Sequence, residues 1–196
     1  GLERSAAQTH AGLAEDLPTI LLMGGGLGLG GMDRTLAALE TVEQRLAILV
    51  AAGHNAVLEA HARALARTSR HDIRVFSYTD QIPSLMRAAD LLITKPGGLT
   101  ISEAFAAGLP LLLHDPIPGP ETENAIYATR CGAAVWLHSG ERMAPAVEEI
   151  LAHRIPEMRR AARDCACEDA AQRVAEILME SLTRRRGAAY GAKKDV

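Results

Sequence analysis

Residues 89–103 read Ala89-Asp90-Leu91-Leu92-Ile93-Thr94-Lys95-Pro96-Gly97-Gly98-Leu99-Thr100-Ile101-Ser102-Glu103. Ala89 to Ile93 is a short, nearly unbroken apolar run, which predicts a strand buried on both faces. Pro96-Gly97-Gly98 then breaks the chain, and Ile101 to Ala107 has the composition of a helix stopped by Gly108 and Pro110. A strand, a glycine turn and a helix with Thr100 at its start make an anion site. The turn lets the backbone approach a ligand, and the helix start offers unpaired N–H groups and partial positive charge. Lys95 at the mouth of the turn would add a full charge. A second reading of the same residues is structural: Thr100 and Glu103 have the spacing of a capping box and would satisfy each other's backbone donors.

The pattern repeats outward from this stretch. Strands are expected at Pro18–Met23, Leu46–Ala51, Ile73–Phe76, Leu111–His114 and Ala133–Leu137. Helices are expected from Asp33, as cap, to about Gln44, and over Ala56–Arg67, Asp80–Ala89, Glu121–Arg130, Ala144–Leu151, Ile155–Cys165 and Glu168–Thr183. Apolar strands alternating with helices define an α/β, doubly wound, mostly parallel sheet with helices on both faces. Ligands of such sheets bind beyond the carboxyl ends of the strands. The glycine run Gly24–Gly31, the Ser77-Tyr78-Thr79 turn, the Lys95–Thr100 turn and the loop Asp115–Pro120 all follow strands, so they should open on one edge. Residues 1–16 read as a linker, 17–183 as the domain, and 184–196 as a polar, mobile tail.

Composition narrows the function. The 196 residues are 48% hydrophobic and 23% charged, which is globular. Aromatic residues make up only 3%, against a base-stacking nucleic-acid platform, and the net charge of −3 gives no global pull toward nucleic acid or anionic lipid. Cys131, Cys165 and Cys167 form no disulfide framework and suit a reducing, cytoplasmic setting. No run approaches the ~18 apolar residues of a membrane span, so any membrane is met from its surface.

Gly26-x-Gly28-x-x-Gly31 has dinucleotide-fingerprint spacing between a strand and a helix, but Ala51-Ala52-Gly53-His54-Asn55 stands where the acidic ribose ligand should follow. A nicotinamide cofactor is disfavoured. No Gly-Lys-Ser/Thr ending is present, which excludes a P-loop. What remains is a glycine loop for a ligand to lie against, or a tight turn packing helix on strand. Two such turns on one edge suit a diphosphate. Glu103 can accept from a ribose diol, and Glu121, Glu123 and Asn124 can grip sugar hydroxyls. The acidic pair can equally complement its own helix dipole. No Asp-x-Asp pair supplies a divalent ion with its usual ligands. Of seven His, only His114, at a strand end on the functional edge, is kept as a possible contact.

As an ordered set, the motifs Met23–Gly30, Ala89–Ala104, Gly108-Leu109-Pro110, Asp115–Gly119 and Glu123-Asn124-Ala125 resemble the C-terminal half of GT-B glycosyltransferases. The subgroup most resembled contains monogalactosyldiacylglycerol synthase and the processive diacylglycerol glucosyltransferases. More distant is the N-acetylglucosaminyltransferase that makes lipid II. The resemblance covers about Leu17 to Leu137 and implies a donor domain for a UDP-sugar, which is a substrate, with no cofactor. It implies that Tyr78 and Thr79 hold the uracil and that Glu103 takes the ribose. Gly26, Gly98, Leu99 and Thr100 would lie along the diphosphate, with Gly24, Gly25, Lys95 and Gly97 also among the donor-binding residues. The segment Gly119, Pro120, Glu121 and Asn124 would reach the sugar. The family usually has Gln where Pro120 stands, and proline offers no side-chain hydrogen bond.

In the resembled enzymes the acceptor site, the membrane surface and the catalytic base belong to an N-terminal domain. None of these is expected in this chain, nor is any catalytic residue. The helix 168–183 is expected to correspond to one that packs back across the interface between the two domains. The reading is therefore the donor half of an inverting, metal-independent transferase acting on a lipid such as diacylglycerol. Such a protein would be cytoplasmic and peripheral to the membrane, and the half alone would bind without turnover. The alternatives are half of a nucleotide-sugar 2-epimerase and a non-catalytic nucleotide-sugar-binding module.

Overall fold

The structure, a computed structural model, describes residues 12–13, 17–24, 31–138, 142–167 and 169–191, with the backbone course alone over 184–191. Six strands, β1 (Thr19–Met23), β2 (Ala47–Gly53), β3 (Asp72–Ser77), β4 (Leu91–Thr94), β5 (Leu111–Leu113) and β6 (Ala134–Trp136), form one sheet in the order β3-β2-β1-β4-β5-β6. Every pairing is parallel, with Leu21 opposite both Leu49 and Leu92.

The apolar runs reflect this burial. On one face Leu21, Leu49, Leu92, Leu111 and Leu113 pack on α3 (Ile82–Ala88), α4 (Gly98–Ala106) and α5 (Pro120–Arg130), through Leu85, Ile101, Phe105 and Ala125. On the other face Ile20, Leu22, Ile48, Val50 and Leu112 meet α1 (Met32–Leu39), α2 (Ala56–Leu65) and α6 (Met143–Glu149), through Leu36, Leu58 and Val147. Leu21 is wholly buried, and truncating such a side chain to alanine costs about 2–5 kcal/mol.

Polar groups at the lower edge of the sheet are paired. Asp90 accepts from the Thr19 N–H at 3.0 Å and from Arg159 at 3.1 Å, tying β1 to α7 (Ile155–Asp164). Buried His71 accepts at Nδ1 from the Leu46 N–H at 3.2 Å and donates from Nε2 to the Leu39 carbonyl at 3.0 Å. That arrangement requires the neutral ring, and burial lowers its pKa.

Several boundaries differ from those expected. Helix α1 ends at Leu39, not near Gln44, because the Thr41 and Val42 N–H groups turn back to Ala38 and Leu39 and Val42 is buried. Its cap is Gly31, in the left-handed region at φ 65°, while Asp33 sits inside the first turn. The stretches 144–151 and 155–165 form one continuous helical run, joined by a π-helical turn over Ile150–Arg154. Pro156, just beyond, has no N–H to offer the ordinary ladder, and a wider turn accommodates that loss.

Contacts divide the chain into two units, residues 1–166 and 167–196. The second contains one helix, α8 (Ala170–Gly191), which continues past Thr183 into the stretch expected to be a mobile tail. Val174, Ile177, Leu178, Met179 and Leu182 are exposed on it. Among the described residues, no helix is long and apolar enough to cross a membrane.

Candidate functional site

Because all six strands are parallel, the segments after β1, β3, β4 and β5 open on the same edge. Between β1 and β4 the order of strand addition reverses, and there the flanking loops diverge to leave a crevice. Gly24 follows β1 into it. Gly25 and Gly26 lie outside the described residues, as does the rest of that run up to Gly30.

Helix α4 rises from the other side of the crevice. It starts at Gly98, with Gly97 as its cap, earlier than Ile101. Thr100 is therefore inside the first turn and caps nothing, and no side chain caps this end. The Ile101 N–H is the first to bond back, to the Gly97 carbonyl at 3.0 Å. The N–H groups of Gly98, Leu99 and Thr100 precede that ladder. The capping-box reading of Thr100 with Glu103 is corrected: no side chain caps this helix start, and the exposed Glu103 carboxylate does not reach back to it.

The two glycines are not demanded by the fold. Gly97 has φ −69° and ψ 135°, open to any residue. A Cβ on Gly97 would come no nearer than 3.7 Å to another atom, and one on Gly98 no nearer than 3.5 Å, to the Asn124 amide. The missing side chains leave room on the solvent side of the turn.

Lys95 does not present a free charge to that space. Its Nζ lies 2.7 Å from Glu121 Oε1, both side chains are largely buried, and the Ile117 N–H donates to Glu121 Oε2 at 2.8 Å. Burial acts to raise the Glu121 carboxyl, but the Lys95 and Ile117 bonds outweigh it and hold the pKa below the usual range. Both carboxylate oxygens of Glu121 thus have partners within the fold. Asn124 donates to the Pro96 carbonyl at 3.1 Å. Both contacts fasten the start of α5 to the Lys95–Gly98 turn. Gly119 precedes α5 at φ 102°, a conformation that side chains resist, and Pro120 opens the helix. Glu123 points outward, exposed.

On the β2–β3 side, Tyr78 is exposed, and its ring stacks on His54 with centroids 4.3 Å apart. Thr79 Oγ1 accepts from the Gln81 N–H at 3.1 Å, so its hydroxyl is engaged within the fold. A small cavity of about 70 Å³ lies between Met23, Ala51, Gly53, Tyr78, Thr79 and Ile82. The structure thus brings the turn at Tyr78, Gly24, the Lys95–Thr100 turn and the Gly119–Asn124 segment to one edge, with Glu103 one turn into α4.

His114 is buried rather than presented. Its Nδ1 lies 3.4 Å from Asp115, its Nε2 has no partner among the described residues, and burial lowers its pKa. Asp115 has φ 45°, a strained conformation for a non-glycine residue, and sits 3.7 Å from Arg34. Neither this strain nor the His54 stack was anticipated from the sequence. His54 occupies the place after β2 where an acidic residue was sought, which was the only available signal. Hydrogen bonding to Cys131 pushes the Cys165 thiol up to about 11, which disfavours its thiolate form. Among the described residues, no three His, Cys, Asp or Glu are grouped to hold a metal.

A doubly wound parallel sheet with a glycine-turned helix at its switch point is a Rossmann-like fold, the architecture shared by the halves of GT-B glycosyltransferases. Its solved neighbours carry that architecture: an Acinetobacter baumannii MurG crystal structure aligns with TM-score 0.74 over 89% of this chain and 53% of that one, at 25% identity. Anabaena Alr3699/HepE, crystallised with UDP-glucose, aligns at 0.67 over 91% of this chain and 53% of that one, at 17% identity. The chain belongs to the glycosyltransferase family 28 C-terminal domain, whose model matches residues 19–178. It is 34% identical over 140 residues to a processive diacylglycerol beta-glucosyltransferase of Bacillus pumilus, and 32% identical to that of Bacillus subtilis. Those matches cover 71% of this chain but only 37% of each relative.

Proposed function

We propose that this chain is the UDP-sugar-binding half of an inverting, metal-independent glycosyltransferase that transfers a hexose to a lipid acceptor such as diacylglycerol. The observation that carries the reading is the uncapped start of α4 behind two glycines that the fold itself does not require. A diphosphate set there would receive the N–H groups of Gly98, Leu99 and Thr100 and the positive end of the helix dipole. The name of the Bacillus relatives supports a glucosyl donor and a diacylglycerol acceptor, and the UDP-glucose in the Anabaena neighbour supports the nucleotide.

In this reading the uracil sits at the Tyr78–Thr79 turn, the ribose hydroxyls donate to Glu103, and the sugar lies toward Gly119–Asn124. An acceptor hydroxyl attacks the anomeric carbon from the face opposite the diphosphate. The bond from that carbon to the diphosphate oxygen breaks, and the helix N–H groups stabilise the charge that develops on departing UDP. The base that takes the hydroxyl proton, the acceptor site and the membrane-facing surface are assigned to the remainder of the protein. The epimerase alternative needs an acid–base pair in the crevice. Glu121, within the Gly119–Asn124 segment, is already paired with Lys95.

Calorimetric titration with UDP tests the assignment. Binding is expected with and without magnesium, and Glu103→Ala should weaken it by about 10-fold or more, the scale of a hydrogen bond to a charged group. Equal binding by a folded Glu103→Ala variant overturns the ribose assignment, and binding only with magnesium overturns metal independence.

A further inference from the structure

The turn that closes β3 is held from three directions. Ser77 Oγ donates to Glu59 Oε1 at 2.8 Å, anchoring the turn to α2, and Thr79 Oγ1 accepts from the Gln81 N–H. These two bonds fix the backbone on either side of Tyr78. Neither restrains its side chain, which is 67% exposed. That restraint comes from His54, whose ring plane lies within 15° of the Tyr78 ring at 4.3 Å between centroids.

His54 is itself well placed. It stands on the turn after β2, between Gly53 at φ 60° and Asn55, whose side chain caps α2 by accepting from the Leu58 N–H at 3.0 Å. The ring is thus carried on a turn fixed at both ends. The cavity at the ends of β1, β2 and β3 has Tyr78 in its lining and apolar Met23, Ala51 and Ile82 beside it. A flat ring entering there would meet an apolar surface and an aromatic wall.

We propose that His54 is a positioning residue of the nucleotide subsite, holding Tyr78 by face-to-face packing as the wall against which a pyrimidine base lies. This rests on the donor-site reading above. It predicts that His54 affects the base and not the phosphates. Affinity for UDP and for inorganic pyrophosphate, which has the phosphates but no base, is to be measured on the unaltered protein, His54→Ala and His54→Phe, with melting temperatures alongside. His54→Ala should weaken UDP binding by roughly 3- to 10-fold, leave pyrophosphate unchanged and leave the melting temperature within a few degrees. His54→Phe, which keeps a flat ring, should restore UDP binding.

His54→Ala binding UDP as well as the unaltered protein overturns the inference, and so does equal weakening of both ligands. A folded His54→Phe that fails to rescue overturns it too. These outcomes leave the donor site standing. Failure of the unaltered protein to bind UDP overturns both.

Discussion

Both carboxylate oxygens of Glu121 are engaged, one by Lys95 and one by the Ile117 N–H. Lys95 is only 17% exposed on its side chain, so Glu121→Ala leaves a largely buried ammonium without its partner. The expected loss of stability is about 1–3 kcal/mol, read from the urea midpoint, with a smaller loss for Glu121→Gln, which still accepts from the ammonium. The Glu121 contribution is present above the ordinary carboxylate pKa and disappears as pH falls through its lowered value. Nothing local in the sequence announces this pair. Lys95 and Glu121 are far apart along the chain, and each alone reads as a ligand to a substrate. Only the packing of α5 against the β4–α4 turn brings them together. Thr79 has the same lesson in smaller form, since its hydroxyl is used by the start of α3. Glu103 shows the converse: its spacing from Thr100 suggested a structural role that the actual helix start removes.

At the scale of the element, α4 is the part whose sequence is least explained by folding. Gly98→Ala would place a methyl no closer than 3.5 Å to its neighbours and would favour the helix. Stability should therefore be unchanged or raised by up to about 1 kcal/mol, while UDP binding falls at least about 10-fold. Thermal unfolding and titration of the same sample separate the two effects. Loss of stability instead would mean that the glycine serves the fold. The strands were legible because a parallel strand covered on both faces must be an apolar run, and all six end within two residues of the expected place. Helix starts were less so. The usual signals are Ser, Thr, Asp and Asn caps, and here α1 and α4 begin after Gly31 and Gly97 while Asp33 and Thr100 lie inside. The union of two helical stretches into one run around Pro156 was hidden for the same reason: proline is usually a stop.

Over the whole molecule, the two buried histidines set an acid limit. His71 and His114 both have lowered pKa values through burial, so below about pH 6.5 the unfolded chain binds protons that the folded one refuses. Stability should be constant just above that pH and fall progressively beneath it, seen as a lower urea midpoint at pH 5.5 than at 7.5. A midpoint that does not move would show that the folded protein protonates these rings freely. The π-helical turn over Ile150–Arg154 matters at this scale because it absorbs one residue more than an ordinary helical turn while α6 and α7 stay on one helical run. A single-residue deletion within it should therefore restore an unbroken α-helix and leave Met158 and Ala162 in the core and Arg159 on Asp90, the residue that fastens the entry to β1. The same deletion in the ordinary turns of α7 would instead rotate everything beyond by about 100°. The extra residue thus acts like slack in a line: it can be taken up there without turning what hangs beyond it.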